Sequence, residues 1–202
     1  MKVYLARHGE TDWNVAGRIQ GTTDIELNEK GRSQATLLAK RLKEQQVNIG
    51  RIYCSKLARA HETAMTVGNA FGVDVRPVEG VEEMRFGKWE GLTWKDIEEQ
   101  YPTECAEFHS ANRRYVHAPE GENYQELMER AVAALEAILE DARDVSETGK
   151  DILVISHGAT ILSLITLRDD IPFDLMLAKT KVENAKAIEF MDSDVTVLKS
   201  KL

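Results

Sequence analysis

Ile152-Leu153-Val154-Ile155-Ser156-His157-Gly158 is four unbroken apolar residues running into Ser-His-Gly. A strand with one wet face alternates apolar and polar side chains. An unbroken run belongs to a strand covered on both faces, the habit of parallel sheets. A helical pattern follows at about 159–167, so the chain turns sharply at His-Gly. The N-terminus is built the same way: Val3-Tyr4-Leu5-Ala6 runs into Arg7-His8-Gly9. Two buried strands that each end in His-Gly decide the fold class, α/β.

The rest of the chain fits around them. Residues 28–46 read as a helix, with Leu37, Leu38 and Leu42 at helical spacing; 52–54 read as a strand. A helix at 57–71 closes on Gly72, and 73–78 alternate as a strand. Residues 123–143 form the clearest amphipathic helix, and 185–191 and 195–199 read as two closing strands. This alternation predicts an α/β sandwich around a mostly parallel sheet. The stretch 84–122 departs from it. Its aromatics, Phe86, Trp89, Trp94, Tyr101, Phe108 and Tyr115, suit a helical cap or lid inserted in one domain spanning 1–202.

Composition narrows the partners. A length of 202 residues with 43% hydrophobic and 30% charged side chains fits one globular domain plus a small lid. No apolar run reaches membrane-spanning length, and the N-terminal apolar segment is too short for a signal peptide. Two cysteines, Cys54 and Cys105, are too few for a disulfide framework, so a reducing cytoplasm is the expected compartment. The net charge of −8, with no basic tail, argues against nucleic acid. An anionic substrate must then be captured by a local cluster of cations.

The strand ends supply that cluster. Ligands of open α/β folds bind at the carboxyl ends of strands. One histidine there is commonly a satisfied core residue; two, with Arg7 beside the first, suggest a site. Cys54-Ser55-Lys56-Leu57-Ala58-Arg59 again leads from strand to helix, with Ser55 a candidate N-cap and Arg59 in the first turn. Arg7, His8, Arg59 and His157 together suit a tetrahedral dianion. The set has no metal-ligand pattern, and the chain has no nucleotide-phosphate loop or dinucleotide fingerprint. A neutral imidazole can attack phosphorus and split hydrolysis into two displacements, with arginines stabilising the transferred oxygens. The leaving alkoxide needs a proton, and a carboxylic acid facing a phosphate dianion has its pKa raised. Glu83 is the best placed candidate, although position alone does not separate it from Glu82 or Glu90.

These motifs resemble the histidine phosphatase superfamily, phosphoglycerate mutase-like branch. The matching blocks are Arg7-His8-Gly9-Glu10-Thr11 with Asn14 and Gln20-Gly21, Ser55 to Ala64, Glu83 to Gly91, and Ser156-His157-Gly158. Gly121-Glu122-Asn123 resembles the family's Gly-Glu-Ser, with Asn in place of Ser. The resemblance implies a three-layer α/β/α sandwich and a phosphohistidine on His8. It implies Arg7, Arg59 and His157 around the phosphoryl group, and Asn14, Thr11 and the Gly158 amide beside it. Glu83, four residues before Gly87, would be the proton donor and then the base. Gln20, Gly21 and the cap would touch the substrate. Neither metal nor cofactor is implied.

The family contains phosphatases and mutases that share one site. The stretch from Glu83 to His157 and the tail beyond it are short, which favours a compact phosphatase acting on small organic monoesters. The alternatives are a cofactor-dependent phosphoglycerate mutase and a non-catalytic phospho-ligand module; the second is disfavoured because all five catalytic residues are present. Specificity candidates are Arg113, Arg114, Arg85 and Phe86, the first two as a cation pair for a substrate carboxylate. His61, His109 and His117 read as helix or surface residues, and Cys54 as a small buried hydrophobe. Expected partners are a small-molecule substrate, no nucleic acid and no membrane, with a monomer or homodimer as the assembly.

Overall fold

The computed structural model describes all 202 residues. Strands β1 (Lys2–Arg7), β2 (Ile49–Ser55), β3 (Val75–Val78), β4 (Asp151–Ser156) and β5 (Ala187–Met191) form one sheet in the order β3-β2-β4-β1-β5. The first four are parallel, and β5 lies antiparallel at the edge beside β1.

The period of two along a strand explains the unbroken apolar runs. Val3, Leu5, Tyr53, Ile152 and Val154 enter one core, while Tyr4, Ala6, Ile52, Cys54, Leu153 and Ile155 enter the other. Helices Tyr124–Asp141, Gly158–Arg168 and Asp192–Ser200 cover the first face through Leu135, Ile138, Ile161, Leu164, Val195 and Leu198. Helices Glu29–Glu44 and Ala58–Phe71 cover the second through Leu38, Leu42, Ala60, Ala64 and Val67. Each fully buried aliphatic side chain contributes about 1.5–3 kcal/mol, so a polar residue within the central run 152–155 of β4 would have no face free of apolar neighbours. The result is the α/β sandwich with a mostly parallel sheet that the alternation predicted.

Topology positions the site. The chain leaving β1 passes to the Glu29–Glu44 helix on the second face, whereas the chain leaving β4 enters the Gly158–Arg168 helix on the first. The two strands are neighbours, with Arg7 opposite Ser156. Adjacent parallel strands whose connections part to opposite faces open a crevice at their carboxyl ends.

Most predicted elements recur with shifted ends, and Gly72 closes the Ala58–Phe71 helix at φ 66°. Residues 195–199 are a correction: they lie in the Asp192–Ser200 helix, not a strand. The Asp194 carboxylate accepts the Met191 N–H at 2.8 Å and caps the first turn. Val195 and Leu198, three residues apart, are buried together while Val197 is exposed. Packing onto two helices overrode the strand propensity of Val-Thr-Val.

Within 84–122 lie the helices Trp94–Gln100 and Pro102–Phe108, flanked by the short turns Gly87–Trp89 and Arg113–Tyr115. Their aromatics build a third core. Trp89 meets Phe108 edge-on at 5.1 Å and Trp94 at 6.1 Å, and Phe108 meets Tyr124 at 5.6 Å. Tyr115 stays exposed.

Candidate active site

The crevice beyond β1 and β4 opens into a cavity of about 430 Å³. Arg7, His8, Asn14, Gln20, Gly21, Glu83 and Gly158 line it. Arg59 and His157 lie just beneath, with no exposed area.

His8 sits in a turn held from several sides. Its N–H donates to the Ser156 carbonyl at 3.0 Å. The Gly9 N–H donates to Thr63 Oγ1 at 3.0 Å, one helical turn beyond Arg59. The His8 Nδ1 is 2.7 Å from the Gly9 carbonyl. A carbonyl only accepts, so Nδ1 carries the hydrogen and Nε2 carries the lone pair. Burial, then the charges of Arg7 and Arg59, hold this imidazole well below its ordinary 6.5, so it is neutral at pH 7.

His157 packs against it, ring centroids 5.1 Å apart and planes at 56°. This is the meeting of imidazoles that parallel neighbours predicted. Burial, then Arg59, also hold His157 well below 6.5. Neither of its ring nitrogens has a partner within the protein.

The two guanidiniums are aimed by backbone carbonyls. Arg7 donates to Val182 O at 3.1 Å; Arg59 donates to Thr23 O at 2.8 Å and Gly21 O at 2.7 Å. Burial lowers both pKa values, against the opposing charge of Glu83, yet an arginine remains a cation. The Nε–H of each has no protein partner. Ser55 is not the N-cap of the Arg59 helix. Leu57 takes that position, and Asp24 from a distant loop accepts the Ala58 N–H at 2.7 Å. Ser55 Oγ instead accepts from Leu57 N at 3.3 Å. A carboxylate supplied by tertiary contact has no local sequence signal.

Geometry separates the three glutamates. Glu83 reaches the start of the Gly158–Arg168 helix, accepting from Ala159 N at 3.1 Å and Thr160 N at 3.2 Å. A Cβ built on Gly158 would lie 3.4 Å from the Arg7 guanidinium and 3.6 Å from Glu83 Oε2, so the three groups converge. Glu82 accepts from Gly80 N, and Glu90 binds Thr22 and Thr23. Arg130 fixes the Glu83 loop through the carbonyls of Gly80, Glu82 and Glu83 at 2.8–3.0 Å. Arg130 is itself held by buried Glu122 at 2.6 Å. Gly-Glu-Asn is therefore a supporting motif: Glu122 anchors Arg130, and Asn123 accepts from Glu126 N as an N-cap. Thr11 does not line the cavity; it caps Asn14, accepting its N–H at 3.2 Å.

Of the specificity candidates, Phe86 lines the cavity and the three arginines do not. Arg85 is solvent-facing and paired with Glu122. Arg113 is buried and donates to His109 O at 3.2 Å. Arg114 donates to Gln125 at 2.7 Å and lies over the Tyr115 and Phe173 rings. The further cations in the lining are Arg18 and Lys181, beside Ile19, Trp94, Tyr124, Leu162, Leu177, Thr180 and Val182. Sequence reading missed Arg18 and Lys181 because they come from two segments far apart in the chain that share no motif. His61, His109 and His117 are absent from the lining. Burial pushes the Cys54 thiol up to about 12.

A family model described as "Histidine phosphatase superfamily (branch 1)" matches residues 3–195. The chain belongs to this superfamily. It is 35% identical over 168 residues to the metal-independent phosphoserine phosphatase of Arabidopsis thaliana, covering 83% of this chain and 68% of that protein. It is 36% identical over 165 residues to phosphoglycerate mutase-like protein 4 of the same plant, covering 81% and 69%. Among solved structures, a mutant phosphoserine phosphatase from Entamoeba histolytica in complex with phosphoserine superposes with a TM-score of 0.79. It shares 30% identity, over 94% of this chain and 90% of that one. The histidine phosphatase fold is thereby confirmed. No helix in the chain is long and apolar enough to cross a membrane.

Proposed function

We infer that the protein is a metal-independent phosphomonoesterase that works through a phosphohistidine on His8. The supporting observation is the fixed tautomer: Nδ1 is committed to the Gly9 carbonyl, leaving the Nε2 lone pair of a neutral ring that feels the charges of Arg7 and Arg59. In this reading Nε2 attacks phosphorus and the ester P–O bond breaks. Glu83 gives its proton to the departing alkoxide. The phosphorylated ring is then cationic, and its Nδ1–H bond to Gly9 O stabilises that charge. Glu83, now a carboxylate, takes a proton from water. The water oxygen bonds to phosphorus, the N–P bond breaks and its electron pair returns to Nε2. Arg7, Arg59, His157 and the Gly158 amide stabilise the transferred oxygens, with Asn14 beside them. Gln20 and Gly21 contact the substrate, and the 84–122 insertion acts as the cap of a single domain.

The substrate class that best suits the lining is a small monoester with an anionic group on its alcohol. Arg18 and Lys181 make no ion pair with any carboxylate of the chain, and the relatives that cleave phosphoserine act on such a molecule. Two cysteines with no disulfide suit a cytoplasmic enzyme. Hydrolysis of p-nitrophenyl phosphate that survives EDTA and vanishes in His8→Ala supports the phosphatase reading; no turnover of any monoester sinks it. With 3-phosphoglycerate and 2,3-bisphosphoglycerate, isomer exchange faster than phosphate release would restore the mutase alternative.

A further inference from the structure

The run-in to β5 is tied to the turn that carries His8. Asn184 forms a parallel bridge with Arg7. The Ala185 N–H donates to Arg7 O at 2.9 Å. Asn184 Nδ2 donates to His8 O at 2.9 Å. Because His8 O is a carbonyl, the amide must turn its nitrogen toward it. Two residues earlier, Val182 O accepts from the Arg7 guanidinium at 3.1 Å. Ala185 adopts φ 48°, a left-handed conformation that is costly for a residue with a Cβ. Its burial and these bonds hold it there. The same short strap fixes the backbone of Arg7 and His8 and the head group of Arg7, and its residues Thr180, Lys181 and Val182 line the cavity.

We propose that Asn184 is a positioning residue for the nucleophile, setting the His8 turn through its side-chain amide. The inference rests on His8 being the phosphorylated residue. Without this donor the His8 carbonyl loses its tie to the strap, while the ties from Ser156 and Thr63 remain. The turn then loosens without unfolding, and Nε2 spends less time in line with phosphorus. The loss falls on the attack step rather than on phosphate capture, because Arg59 and His157 belong to other elements.

The discriminating change is Asn184→Asp, which keeps the shape and turns an acceptor oxygen toward the His8 carbonyl. With p-nitrophenyl phosphate, the burst of p-nitrophenol reads the phosphorylation step directly. The expected result is a burst rate and kcat/KM down about tenfold or more, a Ki for inorganic phosphate within about twofold, and an unchanged melting temperature. Asn184→Ala, which removes the donor without adding repulsion, should lose less. Asn184→Ser, if its hydroxyl reaches His8 O, should recover part of the loss. Wild-type kcat/KM and burst rate in the Asp variant would overturn the proposal. So would a loss accounted for by weaker binding of inorganic phosphate, or one that merely follows the fraction folded by circular dichroism. The Ala variant keeps the test decisive if the Asp variant does not fold. His8→Ala in parallel separates the two levels: turnover that survives it removes the phosphohistidine reading itself.

Discussion

The chain makes the same sentence twice, apolar strand then His-Gly, and the two copies become different parts. At the end of β1, His8 is tautomerically fixed by Gly9 O and faces the cavity. At the end of β4, His157 is buried behind it with both ring nitrogens free of protein partners. The glycines differ too. A Cβ on Gly9 would strike the carbonyl of Gly31, where two backbones touch, whereas one on Gly158 would meet the Arg7 guanidinium at ordinary contact distance. A motif at a strand end therefore specifies a location. The partner of the other ring nitrogen and the packing of the adjacent glycine decide the role.

The largest effect expected is the loss that separates the two histidines. His8→Ala should reduce turnover by at least about a thousandfold and abolish acid-quench trapping of phosphoenzyme. His157→Asn should slow turnover by roughly a hundredfold or more but leave trapping detectable, as expected for a stabiliser of transferring charge. Equal loss of trapping in both would erase the distinction.

Glu83 sharpens the β4 side of the comparison, since it is held at the helix start just beyond His157. Glu83→Gln should lower kcat/KM roughly 10²–10⁴-fold with an alkyl monoester. It should cost much less with p-nitrophenyl phosphate, whose phenolate leaves without help. Equal losses of kcat/KM, which reports the first displacement and not the shared hydrolysis of the phosphoenzyme, on both substrates would exclude proton donation.

A smaller, structural effect should separate the glycines. Gly9→Ala should destabilise the fold by about 1–3 kcal/mol, because two backbones would have to part. Gly158→Ala should stay within roughly 0.5 kcal/mol. Chemical denaturation of the pair decides it.

The subtlest expectation concerns pH. Both histidines are held below 6.5 in the folded chain, so the unfolded chain takes up their protons first. Their contribution is intact above pH 6.5 and is lost as pH falls from there toward the folded values. Each adds at most about 1.4 kcal/mol per pH unit to the slope. Melting temperatures at pH 7 and pH 5 should therefore differ less in His157→Asn than in the wild type. An identical difference would mean that His157 is not held neutral.

Much of this was legible from local pattern. The unbroken run 152–155 announces a strand covered twice, because side chains alternate and both faces must be apolar. Two such runs ending in His-Gly bring their imidazoles to one edge if the strands are parallel neighbours. Failures came where local pattern is ambiguous or silent. Val195-Thr196-Val197 has strand-like residues at positions that also fit a helix, and packing chose the helix. Arg113-Arg114 looks like a carboxylate clamp but is spent on His109, Gln125 and two aromatic rings.

The sequence by itself determined the fold class, the acidic character of the chain and the candidate set Arg7, His8, Arg59 and His157, because each is carried by neighbours along the chain; Glu83 stood out from Glu82 and Glu90 only through the family resemblance. Only the tertiary structure decided which nitrogen of His8 is free, which cations line the cavity, that Arg130 and Glu122 hold the Glu83 loop, and that Asn184 reaches back to the first strand. Those facts depend on hydrogen bonds between residues far apart in the chain. The burial that makes each of them matter exists only once both faces of the sheet are covered.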